Sequence, residues 1–281
     1  MAKLVGVYAA SHAPLLARDW HLFDEPLKAQ VSAAYRELGA RLNAAQADIV
    51  VEIAPDHWSN FFIDNLPNVC IGVGATHDGP PEPFLKDFGH PTLAGEPQFA
   101  MHLLETALAQ GFEPSVSHRL ALDHGFCIPL WRMELEPLPP IVPIVINSLE
   151  PPMPTIARCV AWGNLLAQAI ASYPVDARIA VVASGGLSHS IGEATMGAID
   201  ETFDAGCIRA FEAGGEPAIV DFLDRALPLA GNGSHEVRNW VTAHAVAGSR
   251  GFELIAYMAI PEVYVGCGWA AWSPAEQPYG P

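Results

Sequence analysis

Asp48-Ile49-Val50-Val51-Glu52-Ile53-Ala54-Pro55-Asp56-His57 is the stretch on which the fold turns. Ile49 to Ala54 is mostly apolar and β-branched, short for a helix, and closed by proline. That pattern predicts a strand buried on both faces, as in the middle of an α/β sheet. Pro55 cannot continue a central ladder, so the strand ends there. Asp56 and His57 follow its C-terminal end, where open α/β sheets form their ligand crevices.

Upstream, Leu4 to Ala10 has the same character and runs into Ser11-His12-Ala13-Pro14. Between the two strands, Leu27, Val31, Tyr35, Leu38 and Leu42 recur at helical spacing within Glu25 to Ala45. A right-handed β-α-β crossover then makes the strands parallel and brings His12 and His57 to one edge of the sheet. Two histidines at equivalent strand ends can converge on one ion.

Downstream, strands are expected at Val69–Val73, Ser115–His118, Ile141–Asn147, Arg178–Ser184, Phe252–Ile260 and Val263–Val265. Helices are expected at Gln98–Gln110, Thr155–Tyr173, Met196–Ala213 and Glu216–Leu227. The alternation describes an α/β fold, a three-layer αβα sandwich around a central mixed sheet, in one domain over residues 1–281.

Trp58 to Phe62 is expected to line a pocket or pack beneath a loop. Thr76 to Glu96 reads as a long loop, with His77 and His90 on the surface. Asp123-His124-Gly125 turns the chain and aims His124 at a cleft. Gly185-Gly186-Leu187-Ser188-His189 is a third strand end that delivers a histidine; paired glycines permit positive φ or a close approach. In Gly231-Asn232-Gly233-Ser234-His235-Glu236, Ser234 is the expected N-cap of the next helix and Glu236 lies in its first turn. The tail from Ser273 is Pro- and Gly-rich and is expected to lie over the surface.

The 281 residues carry a formal charge of −17, with 51% hydrophobic and 16% charged side chains. This is a globular, core-building composition, and its acidity argues against nucleic acid as a partner. Cys70, Cys127, Cys159, Cys207 and Cys267 are dispersed, without a C-x-x-C, so neither a disulfide framework nor a cysteine-rich zinc site is expected. The N-terminus lacks a signal-peptide layout and no apolar run is long enough to span a membrane, so the cytoplasm is the expected compartment.

Two imidazoles and one carboxylate on one face of an ion make the triad of Fe(II) dioxygen chemistry. His12, His57 and Glu236 fit that set, which also serves catalytic zinc.

Six short stretches, in order, resemble the class III extradiol ring-cleavage dioxygenases, the family of the protocatechuate 4,5-dioxygenase β subunit, and most nearly their dihydroxyphenylpropionate-cleaving branch. They are Ser11-His12-Ala13-Pro14-Leu15, Ala54-Pro55-Asp56-His57, Gly72-Val73-Gly74-Ala75-Thr76, Asp123-His124-Gly125-Phe126, Ser184 to His189, and His235-Glu236. The resemblance implies Fe(II), or Mn(II) in its place, on His12, His57 and Glu236. It implies His189 as the base that deprotonates a catechol-type substrate and His124 as the acid during O2-dependent cleavage beside the diol. It implies a homo-oligomer; no segment resembles the separate α subunit of the protocatechuate enzyme, so none is expected to be required. Arg119, Arg132 and Arg238 are candidates to hold a substrate carboxylate, and Val263 to Trp272 is a candidate interface.

Two other readings stand beside it. Gly186-Leu187-Ser188-His189-Ser190 resembles a hydrolase nucleophile elbow but lacks its final glycine, and a zinc hydrolase could use the same three ligands. A non-catalytic binding protein on the same fold would not need His124 and His189 together with the three ligands.

Overall fold

The computed structural model describes residues 1–273. Its strands are β1 Lys3–Ala10, β2 Ile49–Ala54, β3 Val69–Gly72, β4 Thr76–Asp78, β5 Thr92–Ala94, β6 Ser115–Ser117, β7 Ile141–Ile146, β8 Arg178–Ser184, β9 Phe252–Ile260 and β10 Val265–Trp272. The helices are α1 Leu15–Arg18, α2 Glu25–Ala45, α3 Pro97–Ala109, α4 His124–Arg132, α5 Ile156–Ser172, α6 Glu201–Ala213, α7 Glu216–Ala226 and α8 Val237–Val246.

Eight strands form one mixed sheet in the order β6-β3-β7-β2-β8-β1-β10-β9. The central four, β7-β2-β8-β1, are parallel, and β3, β10 and β9 add antiparallel pairings outside them. β1 and β2 are parallel as expected, with β8 inserted between them. Alternate side chains feed two cores. Val51, Ile53 and Val181 pack with α3, α5 and α8 on one face, while Val50, Ala54 and Val182 pack with α2 and α4 on the other. This is the three-layer αβα arrangement. The registers pair Ala10 with Ser184 and Ile53 with Ala183, so β1, β2 and β8 end at one level.

Several boundaries differ from expectation, each for a local reason. The last strand is not Val263–Val265 but Val265–Trp272, and all eight of its residues are buried between β1 and β9. Of the candidate interface Val263 to Trp272, the strand is sheet interior and Tyr264 is the exposed residue. α6 starts at Glu201 rather than near Met196, because Asp200 caps it by accepting from the Phe203 N–H. Residues 76–96 contain the β4–β5 hairpin, and His77 on β4 is buried instead of lying on the surface. Ser234 is no N-cap: residues 232–236 form a 3-10 turn, and Glu236 stands at the boundary of α8 rather than inside its first turn. The expectation for the tail beyond Ser273 falls outside the described residues.

Candidate active site

The three strand ends deliver their side chains into one cavity of about 540 Å³, lined by His12, His57, His124, His189 and Glu236 among others. His12 follows β1 and is buried. Its Nδ1 lies 2.8 Å from Ser184 Oγ, at the end of the neighbouring strand. Ser184 donates its own proton to the Gly125 carbonyl, so its oxygen accepts from His12 Nδ1–H. The His12 Nε2 lone pair is thereby left to face the cavity. Second contacts of this kind fix the tautomer of a metal-binding histidine.

His57 follows β2 on a loop held by Asp56, whose carboxylate accepts from the Asn60 and Phe61 N–H groups. Asp123 caps α4 through the Gly125 N–H, accepts from the His57 N–H at 2.6 Å, and lies 3.3 Å from His57 Nδ1. One carboxylate therefore ties β2 to α4 and aims His57 Nε2 inward. Glu236 is buried; its Oε2 accepts from the Gly186 N–H at 2.8 Å. Its Oε1 is left 3.4 Å from both His12 Nε2 and His57 Nε2.

Donors at right angles on a metal with bonds near 2.1 Å stand about 3 Å apart. Each histidine nitrogen stands 3.4 Å from Glu236 Oε1, so the three donors would have to draw together to hold one ion. His124 is a further donor within reach: His12, His57 and His124 offer nitrogens within 4.8 Å of one another, and the carboxylate oxygens of Glu82 and Asp123 lie equally close to a His124 nitrogen and to each other. Glu82 and Asp123, however, are already committed to hydrogen bonds with His124 and His57.

His124 stacks on His57 with ring centroids 4.0 Å apart. Glu82 Oε1 lies 2.7 Å from its Nδ1 and also accepts from its backbone N–H. His189 leans instead on a neutral group, its Nδ1 lying 3.1 Å from the Leu187 carbonyl, and its Nε2 is 3.7 Å from Glu236 Oε1.

Charge follows this arrangement. Burial lowers the His12 pKa to about 4, with Glu236 opposing it. Burial also acts against charging His57, but Asp123 and Glu236 overcome it and raise that pKa to about 10. His189 is raised against burial by Glu236. Glu236 is held well below the carboxylate range, its facing histidines outweighing burial. Glu236 thus favours the charged form of His57 and His189, while burial keeps His12 neutral.

All five sequence-predicted site residues meet here. Glu82 and Ser184 had been given no role, and Asp123 only its place beside His124. Glu82 had no visible signal because it reaches His124 from within the 76–96 segment. The three arginine candidates are elsewhere. Arg119 pairs with Asp78 on the surface, Arg132 donates to the Leu16 carbonyl and stacks on Trp20, and Arg238 donates to the Pro154 carbonyl. Arg18, on α1, lines the cavity in their place. The nucleophile-elbow reading fails because Ser188 is fully buried. Its hydroxyl donates to Asp204 and accepts from the Asp200 N–H.

Comparison with known proteins agrees with this geometry. Residues 6–267 match the family described as the catalytic LigB subunit of aromatic ring-opening dioxygenase. A 2,3-dihydroxyphenylpropionate/2,3-dihydroxicinnamic acid 1,2-dioxygenase of Cupriavidus necator is 30% identical, over 91% of this chain and 94% of its own. The enzyme of the same name from Burkholderia vietnamiensis is 27% identical, over 92% and 94%. The crystal structure of uncharacterized protein JW3007 from Escherichia coli K12 superposes with a TM-score of 0.64 at 18% identity, covering 95% of this chain and all of that one, and shares the fold. With this match spanning nearly the whole sheet and every residue of the histidine cluster, the chain belongs to the LigB family of class III extradiol enzymes and is a metal-dependent ring-cleavage dioxygenase.

Proposed function

We propose that the protein opens the ring of a catechol-type diol beside its two hydroxyls, using O2 and one Fe(II) bound by His12, His57 and Glu236. The observation that carries this reading is the convergence of two histidine Nε2 atoms on one carboxylate oxygen, with two further histidines in the same cavity. A bound Fe(II) would supply Lewis acidity toward the diol and electron transfer between diol and O2.

The two remaining histidines divide the proton work. The Leu187 carbonyl can only accept, so His189 carries its proton on Nδ1 and, when neutral, presents a lone pair at Nε2 beside the metal ligands. It is the base that takes a diol proton. His124 is backed by a carboxylate, Glu82, which accepts from its Nδ1–H and its backbone N–H and so holds the ring in place. It is the acid that returns a proton as the O–O bond breaks. Trp58, Leu149 and Val263 give the ring apolar walls. Both oxygen atoms enter the product, an open-chain semialdehyde or keto acid.

Mn(II) is the proposed substitute ion and zinc the rival. We place the enzyme in the cytoplasm as a homo-oligomer that needs no separate α subunit; its five free, buried cysteines suit a reducing compartment.

The test is anaerobic addition of Fe(II) and a catechol, followed by air. Oxygen uptake with a yellow ring-opened product is expected, and chelation before air should abolish both. Full turnover after exhaustive metal removal, or activity with zinc alone, would overturn the metal assignment. Light scattering reads the oligomer.

A further inference from the structure

The cavity beyond the metal ligands is mostly apolar, with Ala13, Leu15, Trp58, Leu149, Val263 and Tyr264 in its walls. Among the described residues Arg18 is the only Lys or Arg lining it, and residues 274–281 contain neither. Arg18 is already engaged. Its Nε donates to Asp19 Oδ1 at 2.9 Å and its Nη2 to Asp19 Oδ2 at 2.7 Å, a two-point pairing of guanidinium with carboxylate. The pair is close to neutral and occupies the Nε–Nη2 edge of the guanidinium, one of the two edges that could receive a carboxylate from a substrate.

Another part of the wall carries negative charge. Glu150 lines this cavity and also a neighbouring one of about 890 Å³, with which it shares Leu149 and Asn232. That second cavity is further lined by Glu193, Asp200 and Glu201. A ring substituent leaving the metal site therefore meets either a self-neutralised arginine or carboxylates. A carboxylate there would lose hydration without gaining a free cation, and would sit beside like charge.

Resting on the ring-cleavage reading, we infer that the enzyme selects diols whose ring substituent is uncharged, and that the Arg18–Asp19 pair is the element that withholds affinity from carboxylated ones. The curated relatives carry names of carboxylated diols, and the inference is that this chain's preference differs from those names. A substituent longer than the metal cavity accommodates has room past Glu150 and Asn232 in the second cavity.

The test compares a catechol bearing a carboxyethyl group at ring position 3 with its methyl ester, which differs by one charge and one methyl group. With Fe(II)-loaded protein the ester should show the higher kcat/KM, by about tenfold at low salt, and the gap should narrow as salt rises. Asp19→Asn frees the guanidinium and should shift the acid-to-ester ratio toward the acid by roughly threefold to fivefold, mainly through KM, as befits an exposed charge pair. Arg18→Gln in the Asp19→Asn background should cancel that shift. Anaerobic calorimetry of both compounds on the Fe(II)-loaded protein should give the same order of affinity. Preference for the acid, or a ratio unmoved by salt and by Asp19→Asn, overturns the inference. If neither compound nor any simple catechol is opened, the ring-cleavage reading fails, while the calorimetric ratio still decides the charge preference.

Discussion

What stands behind each Nδ1 separates two histidines that share a cavity. Replacing His189 with Gln removes the proposed base for the diol proton. Iron content should remain, turnover should fall roughly 10²–10⁴-fold, and the spectral change on anaerobic substrate addition should weaken. His124→Gln should keep both iron and that spectral change, yet lose turnover on a similar scale, with the defect after O2 is admitted. Loss of iron from the His124 variant would make it a ligand, as its 4.8 Å grouping with His12 and His57 allows. At this scale the sequence was legible wherever a histidine followed a buried strand, because the strand end limits where the side chain can go. It was illegible for Glu82, whose partner is 42 residues away across a loop. It also misled on the arginines: a list of cations says nothing about which are consumed by Asp78, by Trp20 or by a backbone carbonyl.

Close approach between elements puts two glycines under stress. Gly185, just past β8, has φ +128°, and a Cβ there would come within 2.8 Å of the Glu236 side chain. Gly185→Ala should therefore push the carboxylate off its position and lower iron occupancy, as elemental analysis would read. Gly233, in the 3-10 turn before α8, faces the His189 ring so closely that a Cβ would meet it at 2.1 Å. Gly233→Ala should retain iron while depressing turnover. Equal iron loss in both variants would mean that the two turns move as one body. The paired glycines after β8 were readable as a site of close approach, whereas what they approach was not, since Glu236 lies 50 residues on. The same limit hid β10. Gly- and Trp-rich Val265–Trp272 looks like surface by composition, but its glycines let Trp240 and Asp204 pack against the strand from α8 and α6.

Stability of the whole molecule should carry the mark of Asp204. This side chain is fully buried and accepts from the Ser188 N–H, the Ser188 hydroxyl and the Tyr257 hydroxyl. Burial raises its pKa to about 6, against the pull of those bonds. The folded protein thus holds this proton more tightly than the unfolded chain, whose aspartates titrate near pH 4. Its contribution to stability is complete below about pH 4 and is lost as pH rises toward 6, a swing of at most about 3 kcal/mol. Asp204→Asn cannot titrate, so its denaturation midpoint relative to the parent should improve between pH 4 and 6; parallel profiles would refute the assignment. The layered architecture was legible because parallel strands buried on both faces must read as continuous apolar runs. Strand order was not, since runs such as Ile49–Ala54 and Arg178–Ser184 do not encode their neighbours. That order has a consequence for synthesis. β1, the first strand made, lies between β8 and β10, and Ser11, one residue before His12, is tied to Gly268 twice: its backbone N–H donates to the Gly268 carbonyl and its hydroxyl oxygen accepts from the Gly268 N–H. A ribosome releases His12, His57 and Glu236 well before residue 268, yet the seat of His12 is finished only when β10 slots in beside it. A nascent chain halted after Glu236 would own every proposed ligand and is expected to capture no metal, which makes the last strand a checkpoint on the maturation of the first.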